Sequence, residues 1–158
     1  MASEIAKNSQ DEYMVLCLFD LDGFKQINDR LGHQMGDKAI QLAGENLLKC
    51  FQIDFGEKWD FVDRAINENL SFAGRLGGDE FVVFLRGRKD RKEILAETQN
   101  VLDTLANVKA GELNGIHSSV GIAELSAADN DIDIAYTKAD EALYKSKAAG
   151  KHTITFSE

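Results

Sequence analysis

Acidic side chains gather at two reversals of the chain. Asp20 and Asp22 end an apolar run, and Asp79 and Glu80 directly follow a pair of glycines. If the apolar run pairs beside the segment after the glycines, the four carboxylates meet at one sheet edge, where they repel one another unless a hard divalent cation is bound. Any one of these acids could instead be a solvated turn former. Asp20, however, closes a strand that should be buried, where an unpaired acid is costly.

Groups beside these acids are suited to binding anions. Gly23 precedes a helical pattern that begins at Phe24, so backbone N–H groups and the helix dipole would face a negative charge. Lys145, Lys147 and Lys151 gather around the end of the last predicted helix. Cations there also complement the helix dipole without any further function, and both interpretations stay open.

Two side chains could read a purine base. Asp37 carries a carboxylate that can accept from the N1–H and N2–H₂ groups of guanine, and Asn28 carries an amide that can reach O6 and N7. Taken singly, each is typical of a helix surface. His33 is interpreted as a local packing or hydrogen-bonding residue rather than a general base.

The apolar pattern predicts the elements that position these groups. The run Tyr13–Asp20 is typical of a strand buried on both faces, and Gly77-Gly78 predicts a tight hairpin between two further strands. The other predicted elements are a short helix from Phe24 to Leu31, helices over Asp37–Phe51, Arg88–Val108 and Asp131–Ala149, and strands over Phe72–Leu76, Glu80–Leu85, Ile116–Ala123 and His152–Phe156. This order predicts an α+β fold, a mainly antiparallel sheet covered by helices, of ferredoxin-like or polymerase-palm character.

Composition limits the classes of partner. The chain has 158 residues, which suits one domain, and a net charge of −9, which argues against nonspecific binding to nucleic acid. No apolar run approaches the roughly 20 residues of a membrane span. Cys17 and Cys50 form no metal-binding pattern and are expected to be buried thiols in a reducing cytoplasm.

Several ordered motifs together carry a family resemblance. In chain order they are Phe19-Asp20-Leu21-Asp22-Gly23-Phe24-Lys25, Asn28-Asp29, Gly32-His33-Gln34-Met35-Gly36-Asp37, Gly77-Gly78-Asp79-Glu80-Phe81, Ala139-Asp140-Glu141-Ala142-Leu143-Tyr144, Lys147 and Gly150-Lys151. The series closely resembles the GGDEF family of diguanylate cyclases, from about Tyr13 to Phe156. A single such string could arise by chance, whereas the whole series hardly could.

The resemblance implies a reaction in which two GTP become cyclic di-GMP and two pyrophosphates. By similarity, Asp20, the carbonyl of Leu21 and Asp79 hold Mg²⁺ or Mn²⁺, and Glu80 completes a second metal position. Asp20, Asp79 and Glu80 are therefore the expected catalytic residues. Asp79 is the best candidate to assist deprotonation of the attacking 3′-hydroxyl.

The resemblance also implies how the substrate is held. The amides of the Gly23–Lys25 loop and the side chains of Lys147 and Lys151 would cradle the β- and γ-phosphates, and Asn28 and Asp37 would read guanine. Each domain holds one GTP, so catalysis is expected to need a second GGDEF domain in a homodimer. Lys151 stands where the family more often has Arg, which keeps the charge but loses the bidentate fork.

Two departures from the family pattern concern the chain's organisation. Residues 13–158 are expected to form the catalytic domain, with residues 52–71 as an insertion that includes a short helix around Phe61–Asn67. Residues 1–12 are interpreted as the stub of a linker helix that follows an upstream sensor or dimerisation region.

The alternative function is a catalytically silent module that binds GTP and has a regulatory role.

Overall fold

The computed structural model describes residues 13–53, 71–126 and 131–158. In chain order, the elements are β1 (Tyr13–Asp22), α1 (Phe24–Leu31), α2 (His33–Phe51), β2 (Phe72–Gly77), β3 (Glu80–Arg88), α3 (Arg91–Ala106), β4 (Lys109–Ala110), β5 (Leu113–Asn114), β6 (His117–Leu125), α4 (Ile132–Ala148) and β7 (Ile154–Phe156). The described residues thus follow the predicted order, with the small β4–β5 hairpin added.

The main sheet has the strand order β2-β3-β1-β6-β7. Its central strand, β1, is antiparallel to both β3 and β6, whereas β7 runs parallel to β6. The β1–β3 pairing places the Gly-Gly turn beside the carboxyl end of β1, as the sequence predicted. The expected α+β class with a mainly antiparallel sheet is confirmed.

Alternate residues of β1 belong to two different cores. Val15, Cys17 and Phe19 pack toward the side that carries α2 and α3. Met14, Leu16 and Leu18 pack toward α4. Burial on both faces explains why this strand is an unbroken apolar run rather than an alternating one.

Helix α4 lies directly on the backbone of β6. A Cβ atom built on Gly121 would lie 2.1 Å from the carbonyl oxygen of Ala139 and 2.3 Å from the amide nitrogen of Leu143. The hydroxyl of Ser146, one turn further along α4, donates to the carbonyl oxygen of Val120 at 2.7 Å. This close approach fixes where the C-terminal end of α4 lies over the sheet.

Several predicted boundaries are wrong for local physical reasons. The helix predicted from Arg88 begins at Arg91, because Arg88 still belongs to β3 and Asp90 is the N-cap, whose side chain accepts from the Glu93 amide. The predicted long helix from Asp37 begins four residues earlier, at His33, because the break lies at Gly32 with φ 92° and Gly36 lies inside the helix. The last strand begins at Ile154 rather than His152, because His152 has φ 46° and belongs to the preceding turn. Of the two thiols expected to be buried, Cys17 is buried and Cys50 is only half-buried.

Some expectations concern parts of the chain outside the described residues. These are the stub over 1–12, the short helix around Phe61–Asn67 and all but the ends of the proposed insertion over 52–71. Among the described helices, none combines the length and the apolar character that crossing a membrane would require.

Candidate active site

On the face of β1 that packs toward α4, apolar residues are followed by acidic residues at the carboxyl end of the strand. After Leu18, the next two residues on this face are Asp20 and Asp22. Asp20 pairs with Glu80 of β3 on one side and with Ser119 of β6 on the other. The acidic groups therefore lie where the core beneath α4 ends, partly shielded from solvent by the sheet and the helix.

Three carboxylates converge at this point. Asp79 lies in the turn before β3, and its carbonyl oxygen accepts from the Leu21 amide at 3.1 Å, which holds the turn against the end of β1. Burial and the neighbouring Asp20 raise the pKa of Asp79. Burial, Asp20 and Asp140 raise the pKa of Glu80. Ionising these carboxylates is therefore costly, first because they are partly buried and second because they lie near other acids.

Lys147 is the cation that faces this cluster. Its ammonium group, in the last turn of α4, donates to a carboxylate oxygen of Asp20. Burial alone would lower the pKa of Lys147, but the hydrogen bond and charge of Asp20, with the charges of Asp79 and Glu80, raise it. A positive charge is therefore favoured where the three carboxylates meet.

The fourth acid does not join the cluster, contrary to the expectation from its position in the sequence. One carboxylate oxygen of Asp22 accepts from the hydroxyl of Ser119 at 2.7 Å. The other accepts from the backbone amide of His152 at 2.9 Å. Both oxygens of Asp22 are thus engaged by protein groups, away from Asp79 and Glu80.

Two residues of α4 were missed as neighbours of the site. Burial, followed by the charges of Glu80 and Asp140, raises the pKa of Tyr136, so both α4 residues lie within electrostatic range of the cluster. Tyr136, Asp140 and Lys147 are spaced by four and then seven residues, which places them on one face of a helix. This shared helix face, which ends at Lys147, is the sequence pattern that could have predicted Tyr136 and Asp140 as neighbours of the site.

The loop between β1 and α1 offers unpaired donors. Gly23 is the N-cap of α1 in the left-handed conformation, φ 69°, and no described side chain caps the helix there. The carbonyl oxygen of Gly23 accepts from the Ile27 amide at 3.1 Å, which begins the helical ladder. The amides of Phe24 and Lys25 therefore point out of the helix start, where an anion is favoured.

Sequence and structural comparisons agree on one family. The family described as "Diguanylate cyclase, GGDEF domain" matches residues 1–58 and 61–153. The chain belongs to the GGDEF family of diguanylate cyclases.

The relatives extend this result. The chain is 31% identical over 141 residues to the probable diguanylate cyclase DgcI of Escherichia coli K12, covering 89% of this chain and 27% of the relative. It is 30% identical over 137 residues to the diguanylate cyclase DgcS of Shewanella oneidensis, covering 87% and 40%. The chain thus spans between about a quarter and two-fifths of the length of these two relatives.

The fold is also that of solved GGDEF-type domains. The active GGEEF domain of a diguanylate cyclase from Vibrio cholerae superimposes with a TM-score of 0.76 at 25% identity, over 99% of this chain and 90% of that one. In this chain the signature is Gly-Gly-Asp-Glu-Phe, so its third residue is aspartate rather than glutamate.

The two base-reading candidates of the GGDEF domain lie on adjoining helices. A Cβ atom built on Gly36 would lie only 1.8 Å from the Oδ1 atom of Asn28, so the Asn28 amide rests directly on α2. Asp37 is the next residue of that helix and is exposed. One turn further along, a cleft of about 400 Å³ opens between α2 and β2, with Ile40 and Phe81 in its walls.

A divalent cation fits this GGDEF site by its chemistry. The donors are oxygens, which hard cations prefer, and burial and the nearby carboxylates raise the pKa values of Asp79 and Glu80, so a cation would offset the cost of ionising them. As they stand, no three acidic, histidine or cysteine side chains among the described residues are arranged to hold a metal. The ammonium of Lys147 donates to Asp20, one of the carboxylates that could hold a metal, and lies within electrostatic range of Asp79 and Glu80.

The metal-free GGDEF domain is expected to lose stability as the pH rises above about 4. Because the pKa values of Asp79 and Glu80 are raised in the folded state, these acids bind protons more tightly there than in the unfolded chain. Their stabilising contribution is therefore full in acid and is lost as the pH rises through the raised pKa values. Urea unfolding with a chelator present would measure this.

An Asp79→Asn variant supplies the control for this titration. The variant cannot titrate at residue 79, and the substitution relieves the repulsion with Asp20. The free energy of unfolding of the variant should therefore increase relative to that of the wild type as the pH rises. A difference between the two proteins that stays constant from about pH 4 to about pH 8 would contradict the assignment of the shift to this cluster.

Proposed function

We propose that residues 13–158 form a diguanylate cyclase domain that condenses two GTP into cyclic di-GMP. Each 3′-hydroxyl oxygen forms a bond to the α-phosphorus of the other GTP, each pyrophosphate leaves with its bridging oxygen, and each hydroxyl proton passes to a base. The observation that carries the proposal is the convergence of Asp20, Asp79 and Glu80 beside Lys147 and the unpaired amides of α1. Carboxylates next to anion-binding groups suit a metal nucleotide.

The metal would be Mg²⁺ or Mn²⁺. Asp20, the Leu21 carbonyl and Asp79 would hold one ion, and Glu80 would complete a second position. When bound, a divalent ion polarises the α-phosphate, neutralises the leaving pyrophosphate and lowers the pKa of a coordinated hydroxyl.

The chain's own groups would then bind and orient the nucleotide. The amides of Phe24 and Lys25, with the ammonium groups of Lys147 and Lys151, would hold the β- and γ-phosphates. Asp79 would accept the proton of the 3′-hydroxyl, and burial together with the neighbouring Asp20 raises its pKa, which strengthens it as a base.

Recognition of the base would fall to the two helices on the other side of the sheet end. Asn28 and Asp37 would read the guanine edge, and the apolar walls of the cleft beyond Asp37 suit the flat face of a purine. The acidic Asp37 favours guanine because guanine presents N–H donors on that edge, whereas the ring nitrogen N1 of adenine is an acceptor.

Catalysis would require two copies of the domain. One domain binds one GTP, so the attacking hydroxyl and the attacked phosphorus belong to nucleotides on different domains that face each other. An upstream sensor or dimerisation region of a longer protein would control this encounter, and the GTP substrate places the domain in the cytoplasm. Nucleic acid has no part in this scheme, in keeping with the net charge of −9.

Incubation with GTP and Mg²⁺, followed by chromatography for cyclic di-GMP and pyrophosphate, tests the proposal. We expect both products, with a specific activity that rises with protein concentration because the productive species is a dimer. If the chain alone is silent, a leucine zipper fused upstream of Tyr13 supplies the dimer. Continued silence with intact GTP binding would replace this proposal with the catalytically silent GTP-binding module.

Replacing Gly36 with alanine is expected to weaken GTP binding while leaving the domain folded. The new methyl group would displace the Asn28 amide, whose Oδ1 atom lies 1.8 Å from the built Cβ, but it meets only a movable side chain and favours the helix. We expect the KM for GTP to rise about tenfold, as for the loss of one good hydrogen bond, with little change in kcat.

The double variant Asn28→Ala/Gly36→Ala is the control for this effect. Once the amide is gone, the methyl group has nothing to displace, so Gly36→Ala should add little to the effect of Asn28→Ala. Independent, additive losses in the two variants would show that Gly36 does not act through Asn28.

A further inference from the structure

One carboxylate joins two parts of the proposed phosphate site. Asp22 directly precedes Gly23, where the amide loop of α1 begins, and it accepts from the backbone amide of His152 at 2.9 Å. His152 directly follows Lys151. Asp22 therefore connects the loop that offers N–H groups with the turn that offers an ammonium group, although the two are far apart in the sequence.

The turn that carries Lys151 is in an unfavourable conformation. After Gly150 at φ 111°, both Lys151, at φ 66°, and His152, at φ 46°, are left-handed without being glycines. Side chains with a Cβ atom rarely adopt this conformation, and it persists only where other contacts hold it. The Lys151 amide donates to the Ser146 carbonyl at 3.1 Å, and Asp22 holds the following amide.

The other side of Asp22 is anchored in the sheet. Its second oxygen accepts from the hydroxyl of Ser119 at 2.7 Å, and Ser119 is fully buried. The ring of His152 packs edge-on against His117, at 4.7 Å between centroids, and His117 pairs with Asp22 across the strands. Asp22 is thus fixed by β6 and transmits that position to the turn after α4.

We propose that Asp22 is a positioning residue for the triphosphate, which holds the Lys151 turn against the Gly23–Lys25 loop, and that it is not a metal ligand. The inference rests on the proposed function, because it assigns the two joined segments to the β- and γ-phosphates of GTP. Both oxygens of Asp22 are occupied by protein donors, which leaves the acidic cluster to Asp20, Asp79 and Glu80.

Two substitutions distinguish positioning from metal ligation. Asp22→Ala removes both hydrogen bonds, so the KM for GTP is expected to rise about tenfold or more with a smaller change in kcat. Asp22→Asn can keep both, because its Oδ1 can accept from the His152 amide while its Nδ2 donates to the Ser119 hydroxyl. Asparagine is therefore expected to stay within about threefold of the wild type.

Two further measurements test whether the rise in the KM for GTP comes from displacement of the turn that carries Lys151. Hydrogen exchange at the His152 amide should accelerate in Asp22→Ala and stay slow in Asp22→Asn, and this readout needs no turnover. In a Lys151→Ala background, Asp22→Ala should have little additional effect on the KM for GTP. Thermal unfolding of each variant shows whether it is folded, and Ser119→Ala, which removes one anchor and keeps the charge, serves if Asp22→Ala does not fold.

The outcomes separate this inference from the proposed function. An active wild type in which Asp22→Asn is as impaired as Asp22→Ala would overturn positioning in favour of a charge or metal role. An active wild type in which Asp22→Ala or its substitute Ser119→Ala has unchanged KM and unchanged exchange at His152 would also overturn it. A wild-type protein that binds GTP but forms no product as a zipper-fused dimer would overturn the cyclase proposal alone.

Discussion

Asp79→Asn is expected to lower cyclic di-GMP synthesis by about 10³-fold or more, because it removes both a proposed metal ligand and the proposed base. The substitution keeps the shape of the side chain, and the backbone contact between Asp79 and Leu21 does not depend on it. The fold should therefore survive. The rate of product formation, measured at saturating GTP and Mg²⁺ with matched circular dichroism spectra, tests this expectation.

Asp140→Asn is the matched control for the loss of one negative charge. Asp140 acts on Glu80 through space and is exposed on α4, but it has no place in the proposed ligand set. Its replacement should leave activity within about threefold of the wild type. If Asp140→Asn proves as inactive as Asp79→Asn, overall charge and not a specific ligand controls the rate. If Asp79→Asn keeps more than about a tenth of the wild-type activity, Asp79 is not the base.

The central part of the fold could be predicted from the sequence because it is encoded locally. The apolar run from Tyr13 and the glycine pair before Asp79 each specify a structure that needs little tertiary context, a buried strand and a tight turn. Antiparallel pairing of these strands then brings Asp20 next to Glu80. The convergence of these two acids follows from patterns that are present in the sequence.

The missed features depend on tertiary contacts. Glycine disfavours helices, so the predicted helix begins only after Gly36, at Asp37, but in the structure the missing side chain of Gly36 makes room for the Asn28 amide inside the helix. Asp22 has the same spacing from Asp20 that a metal pair would have, and only the distant Ser119 and His152, which donate to its two oxygens, keep it out of the acidic cluster. The β4–β5 hairpin has strands of two residues, which are too short to show a period.

Gly121→Ala is expected to destabilise the domain by about 3 kcal/mol or more, at the upper end of overpacking effects. The new methyl group would lie 2.1 Å from the Ala139 carbonyl oxygen and 2.3 Å from the Leu143 amide nitrogen, so it meets backbone that cannot rotate away. Helix α4 would have to move off the sheet as a unit, and Lys147 would move with it. Urea unfolding measures the loss of stability, and the KM for GTP measures the displacement of the lysine.

Gly74→Ala provides the comparison, because Gly74 also lies in a strand but its built Cβ meets only the Val82 side chain, at 3.9 Å. At Gly74 no close contact opposes the new methyl group, and alanine lowers the conformational entropy of the unfolded chain relative to glycine. The free energy of unfolding should therefore rise by up to about 1 kcal/mol. Opposite signs at the two glycines would show that the cost at residue 121 comes from the contact with α4 and not from replacing a strand glycine as such. Equal effects at both positions would contradict the close packing that places Lys147 against Asp20.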